Sequence, residues 1–102
     1  MLTATGEIFT GCNIENASYG LTVCAERVAI FHAAAQGHRQ LTALVVYTPT
    51  TTATAPCGAC RQVLFEFGPG AWVVGVCDTS HCLETTLAML LPEAFGPHDF
   101  DK

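Results

Sequence analysis

Apolar residues along the chain follow two periods, one typical of helices and one typical of strands. Helical spacing predicts a first helix over Val23–Gln36, with Gly37 as its C-terminal cap, and a second helix over Cys57–Phe67. Short apolar runs rich in β-branched residues predict three strands, which are Glu7–Cys12, Thr42–Thr48 and Trp72–Cys77. This order of strands and helices indicates an α/β fold, with helices packed on the faces of a sheet.

Most of the intervening segments are predicted to be loops. A turn is expected at Thr5–Gly6, a polar loop over Asn13–Thr22, and a loop rich in Thr, Ala and Pro over Pro49–Pro56. The segment Leu83–Leu91 is ambiguous, because its threonine pair favours a strand and its leucine-rich end favours a helical turn. Because no repeat or domain linker is visible, residues 1–102 are predicted to form a single domain.

The composition suggests an obligate oligomer. Half of the residues are apolar and only 13% are charged, whereas an average soluble domain has about 25% charged residues. A domain of 102 residues has a large surface for its volume. We therefore expect other subunits to cover part of this surface.

Charge and targeting signals narrow the class of substrate and the compartment. The net charge is −5 and the chain has only four Lys and Arg residues, so a nucleic-acid partner or a membrane surface is not expected. A small neutral substrate fits better. No apolar run approaches the ~20 residues of a membrane span, and no signal peptide is visible. The six cysteines are interpreted as thiols of a cytoplasmic, reduced protein, some of them bound to a metal.

Three cysteines form the most informative motif of the chain. Cys24 begins the first predicted helix, and Cys57 and Cys60 lie in the first turn of the second. Cys24 on its own could be a small buried residue, and Cys57 with Cys60 could be a redox pair or part of a four-cysteine zinc knuckle. Together they predict a zinc site with three protein ligands and one open position, which is the catalytic arrangement.

Charged residues next to these cysteines complete the predicted site. Glu26 lies two positions after Cys24, so it is better placed to reach a water molecule than to become a fourth ligand. Three thiolates and one Zn²⁺ sum to a net charge of about −1. We hypothesise that Arg27 and Arg61 donate to the ligand sulfurs and offset this charge.

Four segments of the chain resemble the cytidine deaminase family, in its small, homotetrameric, three-cysteine class. They are Thr10–Gly20 (TGCNIENASYG), Cys24–Arg27 (CAER), Pro56–Gln62 (PCGACRQ) and Leu90–Pro97 (LLPEAFGP). The resemblance implies a three-layer α/β/α sandwich with a mixed sheet. It also implies that the N-terminal helix and most of the first strand of the family are missing here, together with an aromatic residue that packs on the cytosine ring.

The resemblance implies hydrolysis of free cytidine and deoxycytidine to the uridines, with release of ammonia, as a step of pyrimidine salvage. Zinc, one per subunit, would activate water for attack on C4 of cytosine, while Glu26 moves protons as the catalytic residue. Cys24, Cys57 and Cys60 would be the metal ligands. The implied substrate-binding residues are Asn13 and Glu15 for the ribose, the backbone of Ala25 and Ala55 for the base, and Phe95, which would cover the site of a neighbouring subunit.

Two alternative functions stay open at this stage. The substrate could be another small molecule that carries cytosine, such as a nucleoside antibiotic of the blasticidin type, although the intact motif at Asn13–Glu15 favours ordinary nucleosides. The chain could also be a zinc-stabilised oligomer without catalytic activity. Cys12 and Cys77 fall in predicted strands and are expected in the core, whereas Cys82 and His81 receive no role.

Overall fold

A computed structural model describes residues 1–100, apart from the side chains of His98 and Phe100. Its sheet has four strands in the order β1-β2-β3-β4, namely β1 (Leu2–Thr3), β2 (Leu41–Tyr47), β3 (Trp72–Val76) and β4 (Cys82–Thr86). β2 and β3 are parallel, while the two outer pairs are antiparallel. The helices are α1 (Ala25–Ala35), α2 (Gly58–Phe67) and α3 (Leu87–Leu90), and 3-10 turns lie at Tyr19–Leu21 and Pro97–Phe100. The sheet is therefore mixed and the fold is α/β, as predicted.

The two predicted helices are confirmed, with slightly shorter bounds. α1 ends at Ala35 with Gln36 as its C-cap, and Gly37 follows with φ of +91°, a conformation that glycine adopts without a steric cost. The ambiguous segment contains both of the elements that its sequence suggested, since β4 ends at Thr86 and α3 begins at Leu87. The hydroxyl of Thr86 accepts from the amide of Met89 and so caps α3.

The predicted strand Glu7–Cys12 is wrong. The first strand is Leu2–Thr3, and the chain then turns through Gly6, which has φ of +88°. The Thr3 amide donates to the Glu7 carbonyl at 2.9 Å, and only an isolated bridge joins Leu2 to Ile8. After this turn the chain leaves the sheet and packs on α1 at Gly11. Cys12 is exposed, so the prediction that it lies in the core is wrong.

One face of the sheet carries the core and both long helices. Ile30 of α1 and Leu64 of α2 are fully buried in one cluster with Leu44 and Val73 of the sheet. On the opposite face Val45, Tyr47 and Trp72 share one side of the parallel pair and are each more than half exposed. The described residues thus supply one helical layer. No helix among them is long and apolar enough to cross a membrane.

Candidate metal centre and its cavity

Cys24 and Cys57 occupy equivalent positions, because each is the N-cap residue of a helix. Cys24 precedes α1 with φ −69° and ψ 152°, and Cys57 precedes α2 with φ −65° and ψ 169°. Cys60 follows in the first turn of α2 and is fully buried. The first amides of a helix lack partners within it, so both helices place N–H groups and the positive end of a dipole near these thiols.

The three thiols form a compact cluster. The Sγ atoms of Cys24 and Cys57 are 3.8 Å apart, and those of Cys57 and Cys60 are 3.3 Å apart. All three cysteines are free, and their Sγ atoms lie within 4.8 Å of one another. A tetrahedral zinc ion with Zn–S bonds of about 2.3 Å separates its sulfur ligands by about 3.8 Å. The cluster therefore fits zinc, and it leaves one coordination position without a protein ligand.

The thiols of α2 have opposite electrostatic surroundings. The backbone amide of Cys60 lowers the pKa of the Cys57 thiol, which favours a thiolate at the start of the helix. Burial raises the pKa of the Cys60 thiol, and the nearby Cys57 and Glu26 raise it further. Cys60 therefore keeps its proton at neutral pH in the metal-free protein, and a metal ion must displace that proton when it binds.

Arg27 lies against the cluster. Its Nη2 atom is 3.7 Å from Cys24 Sγ and 3.5 Å from the carbonyl oxygen of Thr22. Hydrogen bonding to Cys24 and then to Cys60 raises the pKa of Arg27. Among the described residues, its Nε is a buried polar atom without a hydrogen-bond partner. The guanidinium thus places a positive charge beside the thiol cluster.

The described contacts of Arg61 differ from the predicted contacts with the ligand sulfurs. Its Nε donates to the carbonyl of Pro56 at 2.7 Å, and its Nη1 donates to the carbonyl of Leu90 at 2.9 Å. These described contacts are to backbone oxygens and not to sulfur. Arg61 follows Cys60 on α2 and reaches the end of α3 at Leu90, whereas Arg27 contacts Cys24 and Thr22 at the start of its own helix. Arg61 fixes the loop that leads into Cys57.

Glu26 lies in the first turn of α1, where it approaches the cluster from the side of Cys60. Its carboxylate lies close enough to the Cys60 thiol to be one of the causes, after burial, of the raised pKa of that thiol. It also lines a cavity, together with Cys24 and Cys57. Glu26 therefore borders both the cluster and the space in which a substrate could bind.

This cavity has a volume of about 630 Å³, within the usual range of small-molecule sites. It lies at the carboxyl end of β2, where Val46–Pro49 form one wall and Thr10–Cys12 another. The predicted site residues that line it are Asn13, Cys24, Ala25, Glu26, Ala55 and Cys57. Residues from three separate stretches of the sequence thus meet at one opening.

Asn13 and Ala25 are in direct contact. The amide N–H of Ala25 donates to Asn13 Oδ1 at 2.8 Å, so the Asn13 side chain satisfies the first amide of α1. This bond occupies the N–H of Ala25, whose backbone the resemblance assigned to the base, and it leaves the Nδ2 group of Asn13 as a donor for a ligand. The sequence did not reveal this dual role, because it depends on a contact across 12 residues.

Glu15 and Phe95 are not among the residues that line the cavity. Glu15 is exposed in the polar loop, just after Ile14, which forms an isolated bridge with Val23. Phe95 is 60% exposed, and its carbonyl accepts from Gln62 Nε2 at 2.7 Å. Within a single chain the structure therefore brings together the zinc-binding and catalytic candidates, but not these two substrate-binding candidates.

Gly11 is a residue of the site that the sequence analysis did not single out. A Cβ atom at this position would lie 2.5 Å from the Ala25 carbonyl oxygen and 2.6 Å from the Ala29 nitrogen. Only glycine therefore allows the segment to pack this closely on α1, and this packing brings Asn13 to the start of the helix. The signal was the glycine itself, which lies two residues before Asn13 in the motif.

The chain is similar to known proteins over nearly its whole length. The protein-family model described as "Cytidine and deoxycytidylate deaminase zinc-binding region" matches residues 1–76. The cytidine deaminase of Sporosarcina psychrophila is 46% identical over 100 residues, which cover 97% of this chain and 74% of that protein. The cytidine deaminase of Halalkalibacterium halodurans is 43% identical over 102 residues, which cover 99% of this chain and 77% of that protein.

A solved structure shares the fold. The crystal structure of cytidine deaminase from Burkholderia pseudomallei matches with a TM-score of 0.87 and 47% sequence identity, and the match covers 92% of this chain and 76% of that chain. The stretch matched by the family model includes Cys24, Cys57 and Cys60.

Proposed function

This chain belongs to the family of cytidine and deoxycytidylate deaminases, and we propose that it hydrolyses free cytidine and deoxycytidine to uridine and deoxyuridine in pyrimidine salvage. It is a hydrolytic enzyme, and its cofactor is zinc. The observation that carries the proposal is the thiol cluster, which lies beside Glu26 at the mouth of a cavity of about 630 Å³.

Cys24, Cys57 and Cys60 would hold one zinc ion per subunit. When bound, zinc supplies Lewis-acid chemistry that makes water a nucleophile near neutral pH. The N-cap positions of Cys24 and Cys57 support this assignment, because helix starts stabilise thiolates. The burial of Cys60 keeps one side of the cluster away from solvent, and the cavity is on the other side.

Glu26 would move the protons of the reaction. Deamination forms a bond from C4 of cytosine to the oxygen of water and breaks the bond from C4 to the amino nitrogen, which leaves as ammonia. Glu26 takes one proton from the attacking water and delivers it to N3 of the ring, and it then carries the remaining hydroxyl proton to the amino nitrogen, which leaves as ammonia. Its position between Cys60 and the cavity supports this role.

The charge around the cluster would be balanced by Arg27. Its contact with Cys24 Sγ at 3.7 Å supports a direct role, because donation to a ligand sulfur withdraws negative charge from the metal site. Arg61 would act indirectly, by holding the Pro56 carbonyl and with it the loop before Cys57.

Asn13, Glu15, Ala25, Ala55 and Phe95 would bind the substrate. The free Nδ2 group of Asn13 and the carboxylate of Glu15 form a donor and acceptor pair suited to ribose hydroxyls. The Ala55 backbone, which lines the cavity, would hold the edge of the base. Ala25 would contribute through its place in the wall, since its amide is bonded to Asn13. Phe95 would act on a neighbouring subunit.

We further propose a homo-oligomer, with a tetramer favoured, in which residues 1–102 act as one domain. The low charge content and the exposed Val45, Tyr47 and Trp72 on one sheet face support subunit contacts. A cytoplasmic location is proposed because thiolate ligands require a reducing compartment.

Zinc content and ammonia release of the purified protein test the proposal. We expect one zinc per chain, ammonia release from cytidine and deoxycytidine, and loss of activity on chelation with recovery on zinc addition. Ammonia released only from a blasticidin-type nucleoside would contradict the proposed substrate. Bound zinc without turnover of any cytosine nucleoside would contradict the enzymatic assignment of this chain.

A further inference from the structure

His81 contacts the backbone of the loop that forms one wall of the cavity. Its Nδ1 accepts the amide N–H of Ala53 at 2.8 Å, across 28 residues of sequence. An imidazole that accepts at Nδ1 carries its proton on Nε2. His81 itself is exposed and lies in the turn between β3 and β4, away from the thiol cluster. Its position therefore links this turn to the Pro49–Pro56 loop.

The loop lies directly on the sheet at this point. A Cβ atom at Gly75 would be 2.8 Å from the Thr54 carbonyl oxygen and 3.4 Å from Ala53 Cβ. The glycine in β3 thus lets the backbone of the loop approach the strand. Thr54 and Ala55, which follow Ala53, line the cavity, so a shift of the Ala53 backbone moves the cavity wall.

Three bonds connect the β3–β4 turn to this loop. The Asp78 amide donates to the Thr50 carbonyl at 3.0 Å, and the Thr79 hydroxyl donates to the Thr51 carbonyl at 2.7 Å. The bond between Ala53 and His81 is the third, and it is the nearest to Ala55 along the chain. The other described hydrogen bonds of the loop's hydroxyl groups connect Thr48, Thr50, Thr52 and Thr54 with one another. His81 therefore fixes the loop two residues before Ala55, while Arg61 holds the Pro56 carbonyl on the other side of Ala55.

We infer that His81 is a positioning residue for substrate binding: by accepting the Ala53 N–H, it holds the Ala53–Ala55 backbone where the base edge binds. The inference rests on the proposed function, in which the Ala55 backbone contacts the base. His81 touches neither the thiol cluster nor Glu26 in the described contacts, so its loss acts on binding rather than on the chemical step.

Two substitutions of His81 separate positioning from general damage. His81→Phe keeps an aromatic ring but removes the acceptor, whereas the Oδ1 atom of Asn can take the place of Nδ1 in His81→Asn. Ser80→Ala, in the same exposed turn, is the matched control. We expect His81→Phe to raise the KM for cytidine roughly fivefold, which corresponds to one lost hydrogen bond. Its kcat should stay within about twofold, and its zinc content should be unchanged.

The rescue and the control decide the outcome. His81→Asn should restore the KM to within about twofold of the original value, and Ser80→Ala should leave it unchanged. An unchanged KM in His81→Phe overturns the inference, as does a failure of His81→Asn to restore it. An equal rise in Ser80→Ala overturns it too, because the effect would then belong to the turn as a whole.

Hydrogen exchange of the Ala53 amide tests the contact without any substrate. We expect faster exchange in zinc-loaded His81→Phe and restored protection in His81→Asn. If the unsubstituted enzyme released no ammonia from cytidine, the proposed function would fail. The exchange rates would still support the contact if they followed this pattern, and would reject it if they did not change.

Discussion

The thiol cluster (Cys24, Cys57 and Cys60) and the polar loop (Asn13–Thr22) face the same region of the molecule but are held very differently. Two of the three thiols sit at helix starts, the third is fully buried, and two of their S–S distances are 3.3 and 3.8 Å. The polar loop is exposed over nearly its whole length, and Tyr19 in it is 90% exposed. Local helix geometry therefore preorganises the metal side of the site within one chain.

The polar loop depends on a few hydrogen bonds. The Asn16 amide donates to the Thr22 hydroxyl at 3.1 Å, the Ser18 amide donates to Asn16 Oδ1 at 2.8 Å, and Ile14 pairs with Val23. Asn13 connects it to α1 through a side chain that lines the cavity, and Arg27 of α1 contacts the Thr22 carbonyl at 3.5 Å. The difference suggests that changes in the cluster abolish the chemical step or the metal site, whereas changes in the loop alter affinity by smaller factors.

The largest expected effect is that of Cys57→Ala. This change removes one of three thiolates, and the two remaining ligands cannot hold zinc at a catalytic affinity. We expect zinc content and ammonia release to fall to background. Cys57 is exposed, so the helical content measured by circular dichroism should persist.

Cys82→Ala is the matched control for this substitution, since Cys82 is another exposed cysteine that lies on β4. It should retain zinc and turnover. A Cys57→Ala protein with full zinc content would contradict the assignment of the cluster.

Glu26→Gln should give the next largest effect and a different pattern. Glutamine keeps the size of the side chain but cannot accept and return a proton, so kcat should fall by roughly 10²- to 10⁴-fold. Zinc content should stay at one per chain, because Glu26 is not a ligand in this assignment. Glu84→Gln on β4 is the control for a lost exposed carboxylate. Turnover near the original rate in Glu26→Gln would refute the role of Glu26.

Arg27→Gln and Arg61→Gln should separate the roles of the two arginines, for which the sequence analysis predicted the same role. Arg27 contacts a ligand sulfur, so its loss should weaken zinc affinity by roughly 10- to 100-fold in a chelator competition. Arg61 contacts two backbone carbonyls, so its loss should lower the free energy of unfolding by about 2 kcal/mol. Zinc affinity in Arg61→Gln should change by less than about threefold. Equal losses of zinc affinity in both variants would contradict this distinction.

The difference between local helix geometry and contacts made across the fold explains how much could be predicted from the sequence. The helices and the spacing of Cys24, Cys57 and Cys60 follow local rules, so the elements that carry the thiols were predicted from the chain alone. The strand predicted over Glu7–Cys12 is wrong, because Phe9 packs against His32 of α1 and Gly11 lies on the backbone of the same helix, while Ile8 is 73% exposed and forms an isolated bridge. Such a contact depends on tertiary packing, which periodicity does not report.

The site residues show the same limit. The different roles of Arg27 and Arg61 depend on which way each guanidinium points, and adjacent motif positions give no information about this. Likewise, the bond from Ala53 to His81 joins segments 28 residues apart, with no pattern that marks them as partners. Contacts made by single side chains across the fold were therefore the part that sequence reasoning missed.

The smallest effects should come from Asn13, where two functions of one side chain can be separated. Asn13→Asp keeps the oxygen that accepts from the Ala25 amide but loses the Nδ2 donor. A carboxylate is also favourable at a helix start, so the free energy of unfolding should not decrease. The KM for cytidine should rise roughly fivefold, because one hydrogen bond to the sugar is lost.

Asn13→Ala removes the oxygen as well as the donor. Its KM should rise at least as much, and its free energy of unfolding should fall by about 1 kcal/mol, since the first amide of α1 loses its partner. Denaturant unfolding and steady-state kinetics on both variants measure the two effects separately. Equal stability of the two variants would show that the hydrogen bond from Ala25 to Asn13 does not hold the polar loop. Some other contact would then have to fix this loop beside the preorganised thiol cluster.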